Sequence, residues 1–135
     1  MQYSKQQYRP TIFNNYTRTL QPKPYEIYWC DLPLDPSIPT QLGKKRPVVI
    51  ISNEQHNKGA GSYNILPTTT STKKDLPCHV VVDSLMRGDD ERKTTILAEE
   101  IMTVPKEWIG DYITKLTWQE KRKVKEAILI QLGFM

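Results

Sequence analysis

RPVVIISN, residues 46–53, is the stretch on which the fold turns. Val48, Val49, Ile50 and Ile51 are apolar at consecutive positions, the pattern of a strand covered on both faces. Immediately before the strand stand Lys44, Lys45 and Arg46. A guanidinium at the mouth of a rigid strand is either ordinary surface charge or a group fixed for chemistry.

Working outward, YEIYWCDL (25–32) is β-branched and aromatic and ends at Pro33, which reads as a first strand. Residues 33–45 carry three prolines and a glycine and read as a long loop, a length that is more often functional than accidental. EQHNKGAGS (54–62) reads as a turn, and YNILPTTTST (63–72) as a strand ending in five hydroxyl side chains. CHVVVDS (78–84) and TTILAEEIMTV (94–104) give two more strands around a charged hairpin loop at 86–93. Five short strands with turn signals between them predict a small twisted antiparallel barrel or half-barrel. Thr117 followed by Glu120 is a capping box, and Val124, Ala127, Ile128 and Leu132 share one face, so the chain ends in a helix with Gly133 at its C-cap.

The 135 residues suit one domain, and the aliphatic run of four is far short of a membrane span. No apolar leader follows the N-terminus, and two cysteines, Cys30 and Cys78, make no disulfide framework, so a cytoplasmic protein is expected. Residues 1–24 hold Lys5, Arg9, Arg18 and Lys23 and no acid, so the net charge of +4 resides there. The remainder, 25–135, matches its 15 acids with as many cations. Residues 1–24 therefore read as a basic arm, a disordered tail by composition or a strap on RNA, and residues 25–135 as the domain.

Neither His56 nor His79 lies in a metal-ligand spacing, Asp89-Asp90-Glu91 lacks the alternation of a calcium loop, and no phosphate-cradling glycine motif is present. No metal or other cofactor is expected. Cys78 and His79 are adjacent, so on a strand they would face opposite ways and could not act together. Arginine matches phosphate oxygens with a rigid fork, and threonine offers a hydroxyl to a phosphate or ribose. Strand-flanking Arg and Thr are also ordinary, and composition alone favours that plain reading.

The order of YEIYWCDL, GKKRPVVIISN, ILPTTT, LPCHVVVD, ILAEEIMTV and ILIQLGF over residues 25–134 resembles the MazF/PemK toxin family. The resemblance implies an SH3-like antiparallel barrel of the CcdB/MazF type, mainly β with a C-terminal helix. It implies a metal-independent, sequence-selective endoribonuclease of single-stranded RNA, a homodimer, inhibited by a MazE/PemI-like antitoxin peptide laid across the RNA groove. Carried over by position, the catalytic pair is Arg46 and Thr69, with Thr68 and Thr70 as neighbouring candidates. Gln41, Lys44, Lys45, Thr68, Thr70 and Glu100 fall where RNA-contacting residues are implied.

Where the family commonly reads GSEQxGxRP, this chain has Gln41 for the acid and Leu42 for the amide. Where it reads EQIRT, this chain has Glu100 and Met102. An added carboxylate repels phosphate and the extra lysines offset it, so these changes leave the implied catalytic pair intact and bear on substrate preference and rate. Two other readings stand beside this one. One is a non-catalytic binder, either a CcdB-like topoisomerase poison or an RNA-binding module; the other is a ribonuclease using His56 and His79 as acid and base.

Overall fold

The computed structural model describes residues 21–32, 45–71, 74–83, 85 and 93–135. Through them run strand β1 (Glu26–Asp31), β2 (Lys45–Ile50), helix α1 (Glu54–Gly59), β3 (Ser62–Thr69), β4 (His79–Val82) and β5 (Thr94–Leu97). A 3-10 turn (Ala98–Glu100) leads to β6 (Met102–Pro105), a second one (Lys106–Trp108) to β7 (Ile109–Lys115), and helix α2 (Trp118–Gln131) follows. All pairings are antiparallel, in the order β4-β5-β3-β2-β1-β7, with β6 beside the first half of β3. The mainly β antiparallel class with a C-terminal helix is the one the sequence predicted.

The aliphatic run owes its composition to a two-sided core. Val49 joins Ile27, Leu66 and Ile96 in one cluster, roofed by Val124 and Ala127 of α2. Val48 and Ile50 point the other way, into a cluster of Tyr28, Cys30, Tyr63, Ile65, Val104 and Ile109. All three β2 residues are fully buried, each contributing roughly 1.5–3 kcal/mol of apolar burial. A polar residue at any of the three would face one core or the other.

Helix α2 starts as its capping box dictates: Thr117 Oγ1 accepts from the Glu120 N–H at 3.2 Å, and Glu120 Oε1 accepts from the Thr117 N–H at 2.9 Å. Gly133 takes φ +83°, the left-handed conformation that ends a helix at no steric cost to glycine. Leu132, expected on the buried face, lies beyond the last helical residue and is half exposed.

Three expectations are corrected. Residues 54–59 form a helix rather than a turn, capped by Asn53, whose Oδ1 accepts from the His56 N–H at 2.7 Å. Its anchor is the buried Asn57, which donates through Nδ2 to the carbonyls of Pro22 (2.8 Å) and Ser52 (3.0 Å) and accepts from Ser52 Oγ (2.6 Å). Residues 94–104 are not one strand. Along β3, Ile65 pairs with Met102 and Thr68 with Ile96, so two intervening β3 residues face five, and the surplus folds out as the 3-10 turn. Finally, β7 pairs with β1 through an irregular register, which makes seven strands among the described residues rather than five. The arm up to residue 20, the loop at 33–44, and residues 72, 73, 84 and 86–92 lie outside the described residues.

Candidate active site

At the start of β2, Lys45 pairs with Asp31 and Arg46 with Cys30. Strand alternation puts Arg46 on the side of Val48 and Ile50, at the end of the row that packs into the second cluster. Cys30 is wholly buried there, and burial, followed by the Asp31 charge, pushes its thiol up to about 12. A thiol held neutral offers Arg46 no counter-charge. The Arg46 Nε is itself buried and, among the described residues, has no hydrogen-bond partner. Buried donors are almost always paired, and an unpaired one costs about 1–3 kcal/mol.

The β2–β3 ladder pairs Ile50 with Ile65, Val49 with Leu66 and Val48 with Pro67. Continued past its last rung, this register sets Pro47 against Thr68 and Arg46 against Thr69. The first of these meetings is made by a side chain: Thr68 Oγ1 donates to the Pro47 carbonyl at 2.8 Å. Directly opposed residues project to the same side of a sheet, so Arg46 and Thr69 belong to one surface. The three neighbouring threonines thereby separate. Thr68 is buried and its hydroxyl ties β3 to β2; Thr70 is exposed beyond the strand. Thr69 Oγ1 accepts from the Ser71 N–H at 3.2 Å and lies 3.1 Å from Ser71 Oγ, a hydroxyl partner that can rotate away. Ser71 was visible in the sequence only as one of five successive hydroxyls.

Of the other predicted contact residues, Lys45 is exposed at the first position of β2. Glu100 sits half-buried in the 3-10 turn, where burial and then the charge of Glu99 push its carboxyl up. Gln41 and Lys44 lie outside the described residues.

A second constellation overturns the expectation that Cys78 and His79 face apart. Strand β4 begins at His79, so Cys78 precedes it in a turn and strand alternation does not govern it. Both side chains reach Glu99. Cys78 Sγ donates to Oε1 at 3.4 Å, and His79 Nε2 lies 2.6 Å from Oε2. His79 Nδ1 donates to the Lys74 carbonyl at 3.1 Å. Burial pulls the imidazole down, but its bond to Glu99, then the Lys74 carbonyl and the charges of Glu99 and Asp75, outweigh it and the net direction is up. Glu99 is moved the other way: burial raises it, and the His79 bond and its other donors leave it below the usual range. The Cys78 thiol is raised, by burial first and then by Glu99. His56 is held elsewhere, its Nε2 3.1 Å from the Ser62 carbonyl at the start of β3, so the two histidines are anchored to different elements.

Comparison with known proteins bears on this arrangement. The family described as PemK-like, MazF-like toxin of type II toxin-antitoxin system matches residues 23–132. Endoribonuclease EndoA of Bacillus subtilis (strain 168) is 33% identical over 111 residues, covering 82% of this chain and 93% of the relative. An endoribonuclease in complex with its cognate antitoxin from Mycobacterial species has a TM-score of 0.65 at 24% identity, over 84% of this chain and 97% of that one. MazF (Form-I) from Deinococcus radiodurans has a TM-score of 0.67 at 16% identity, over 84% of this chain and 98% of that one. These two structural likenesses are of fold. Among the described residues, no helix is long and apolar enough to cross a membrane.

Proposed function

This chain belongs to the PemK-like, MazF-like toxin family of type II toxin–antitoxin systems, and on that premise we propose that it is an endoribonuclease toxin cleaving single-stranded RNA in the cytoplasm. The observation that carries the site is Arg46, whose Nε is buried and unpartnered among the described residues while β3's register sets Thr69 on the same side. A permanently charged fork held at a strand end is suited to a phosphate, because its donors need not be reoriented as charge develops.

In the proposed step the RNA 2′-oxygen attacks the neighbouring phosphorus and the bond from phosphorus to O5′ breaks. The 2′-hydroxyl gives its proton to solvent water, O5′ gains one from Arg46, which recovers its own from water, and the products are a 2′,3′-cyclic phosphate and a 5′-hydroxyl. Arg46 neutralises the dianionic phosphorane and is the proposed donor to O5′. Thr69 exchanges its Ser71 partner for the phosphate or the 2′-hydroxyl and orients it. Lys45, with Lys44 and Gln41, is proposed to draw the RNA backbone, and Glu100 to tune which sequences are accepted. No metal is drawn on, since the guanidinium supplies the positive charge. A homodimer and an antitoxin peptide laid over the RNA groove complete the proposal.

The test is a long mixed-sequence RNA incubated with wild type, Arg46→Ala and Thr69→Ala in excess EDTA, with 5′-hydroxyl ends mapped. Discrete cuts by wild type, lost in both variants, are expected. Wild-type protein that is folded, antitoxin-free and makes no cuts overturns the proposal in favour of a binding protein on the same fold.

A further inference from the structure

We propose that Cys78, His79 and Glu99 form a binding site for a thiophilic divalent cation, with zinc as the best match. A thiolate sulfur, an imidazole nitrogen and a carboxylate oxygen are all donors that zinc accepts, at about 2.3, 2.0 and 2.1 Å. The three donor atoms already lie within 4.8 Å of one another. A tetrahedral ion with those bond lengths separates neighbouring donors by about 3.4–3.6 Å. Cys78 Sγ lies 3.4 Å from one oxygen of Glu99 and His79 Nε2 2.6 Å from the other, so the carboxylate has to turn one oxygen to the ion while the histidine contact opens by about 1 Å.

The surroundings are those of a ligand set rather than of a chance cluster. His79 donates its Nδ1 proton to the Lys74 carbonyl, which fixes the ring and directs Nε2 at Glu99. The Ala98 N–H donates to the Cys78 carbonyl at 3.0 Å, so the backbones carrying the cysteine and the glutamate are fastened together. The His79 side chain is 5% exposed and that of Glu99 28%, so an ion and its water reach the site from the glutamate side. On binding, the ion displaces the thiol proton and the proton shared by His79 and Glu99. A structural histidine–glutamate pair has no need of a thiol on the same carboxylate. The ion's role here is to hold the 3-10 turn against β4, with no part in RNA cleavage.

The full-length protein, stripped with chelator and then dialysed free of it, is titrated with Co²⁺ as an optical probe and then with Zn²⁺ in competition. The expected result is one ion per chain, with the visible bands of a tetrahedral site and a near-ultraviolet thiolate-to-cobalt band. Zinc should also raise the melting temperature. Cys78→Ser should abolish the thiolate band, and Cys78→Ser and His79→Gln should each weaken Zn²⁺ by on the order of a hundredfold or more. A wild-type titration without a thiolate band, or equal Zn²⁺ affinity in wild type and Cys78→Ser, overturns the proposal. The wild-type titration decides on its own should a variant fail to fold. Cleavage of RNA in EDTA is a separate readout, so the two proposals fail independently.

Discussion

Replacing Arg46 with methionine should make the protein more stable and all but inactive. Methionine keeps the apolar stem and removes the guanidinium, whose buried Nε has no partner among the described residues. An unpaired buried donor costs about 1–3 kcal/mol, and some of that gain is offset by poorer packing of the thioether, which leaves about 1 kcal/mol in favour of the variant. With a urea m-value of about 2 kcal/mol/M for a chain of this size, the unfolding midpoint should rise by about 0.5 M. Cleavage should fall by on the order of 10²–10³, the usual loss when a preorganised electrostatic donor is deleted. Urea unfolding followed by far-UV circular dichroism, beside cleavage of a fixed RNA in EDTA, measures both. A midpoint that drops by 0.5 M or so would mean that the guanidinium holds the fold together and is not reserved for a ligand. Cleavage within about tenfold of wild type would remove Arg46 from the chemistry.

The adjacent threonines should divide by phenotype. Thr68→Val breaks the bond to the Pro47 carbonyl and should cost about 1–2 kcal/mol in urea unfolding. Thr69→Val should cost little stability and most of the cleavage, and equal effects of the two on stability and activity would contradict the register argument. Asn57→Ala leaves the carbonyls of Pro22 and Ser52 without the amide donor and the Ser52 hydroxyl proton without its acceptor, and should cost about 2–4 kcal/mol by the same assay. In a Cys78→Ser background, Cys30 should resist alkylation by iodoacetamide at pH 9 in the native state and react fully in urea. With its thiol pushed up to about 12, only about one molecule in a thousand is thiolate at that pH. Rapid native labelling would place Cys30 outside the core.

What could be read from the sequence was whatever depends on short-range pattern. Val48 to Ile51 announced a two-sided core because each successive residue meets a different cluster. Thr117 and Glu120 announced α2 because a capping box is complete within four residues. The proposed pair, Arg46 and Thr69, comes from position in the family resemblance, and the β2–β3 register, continued two residues past its last rung, sets the two opposite one another. Helix α1 was not readable, since Asn57 earns its place from Pro22, 35 residues away. The break at Ala98–Glu100 follows from β3 sharing one edge between β5 and β6, a property of the assembled sheet. Strand β7 was missed because Asp111 and Tyr112, exposed in succession, interrupt any period of two. The Cys78–His79–Glu99 group was missed because alternation was applied to a residue one place outside its strand.

The pairing of β1 with β7 reaches across the chain, from Glu26 to Lys115. On a ribosome, β1 must wait for nearly the whole chain, at roughly 5–20 residues per second, before its second edge is covered. Strand β2, which presents Arg46, leans on β1 through the Cys30 and Asp31 rungs. A nascent chain can therefore pair β1, β2 and β3 early, while the seam between β1 and β7 closes only after residue 115 has emerged.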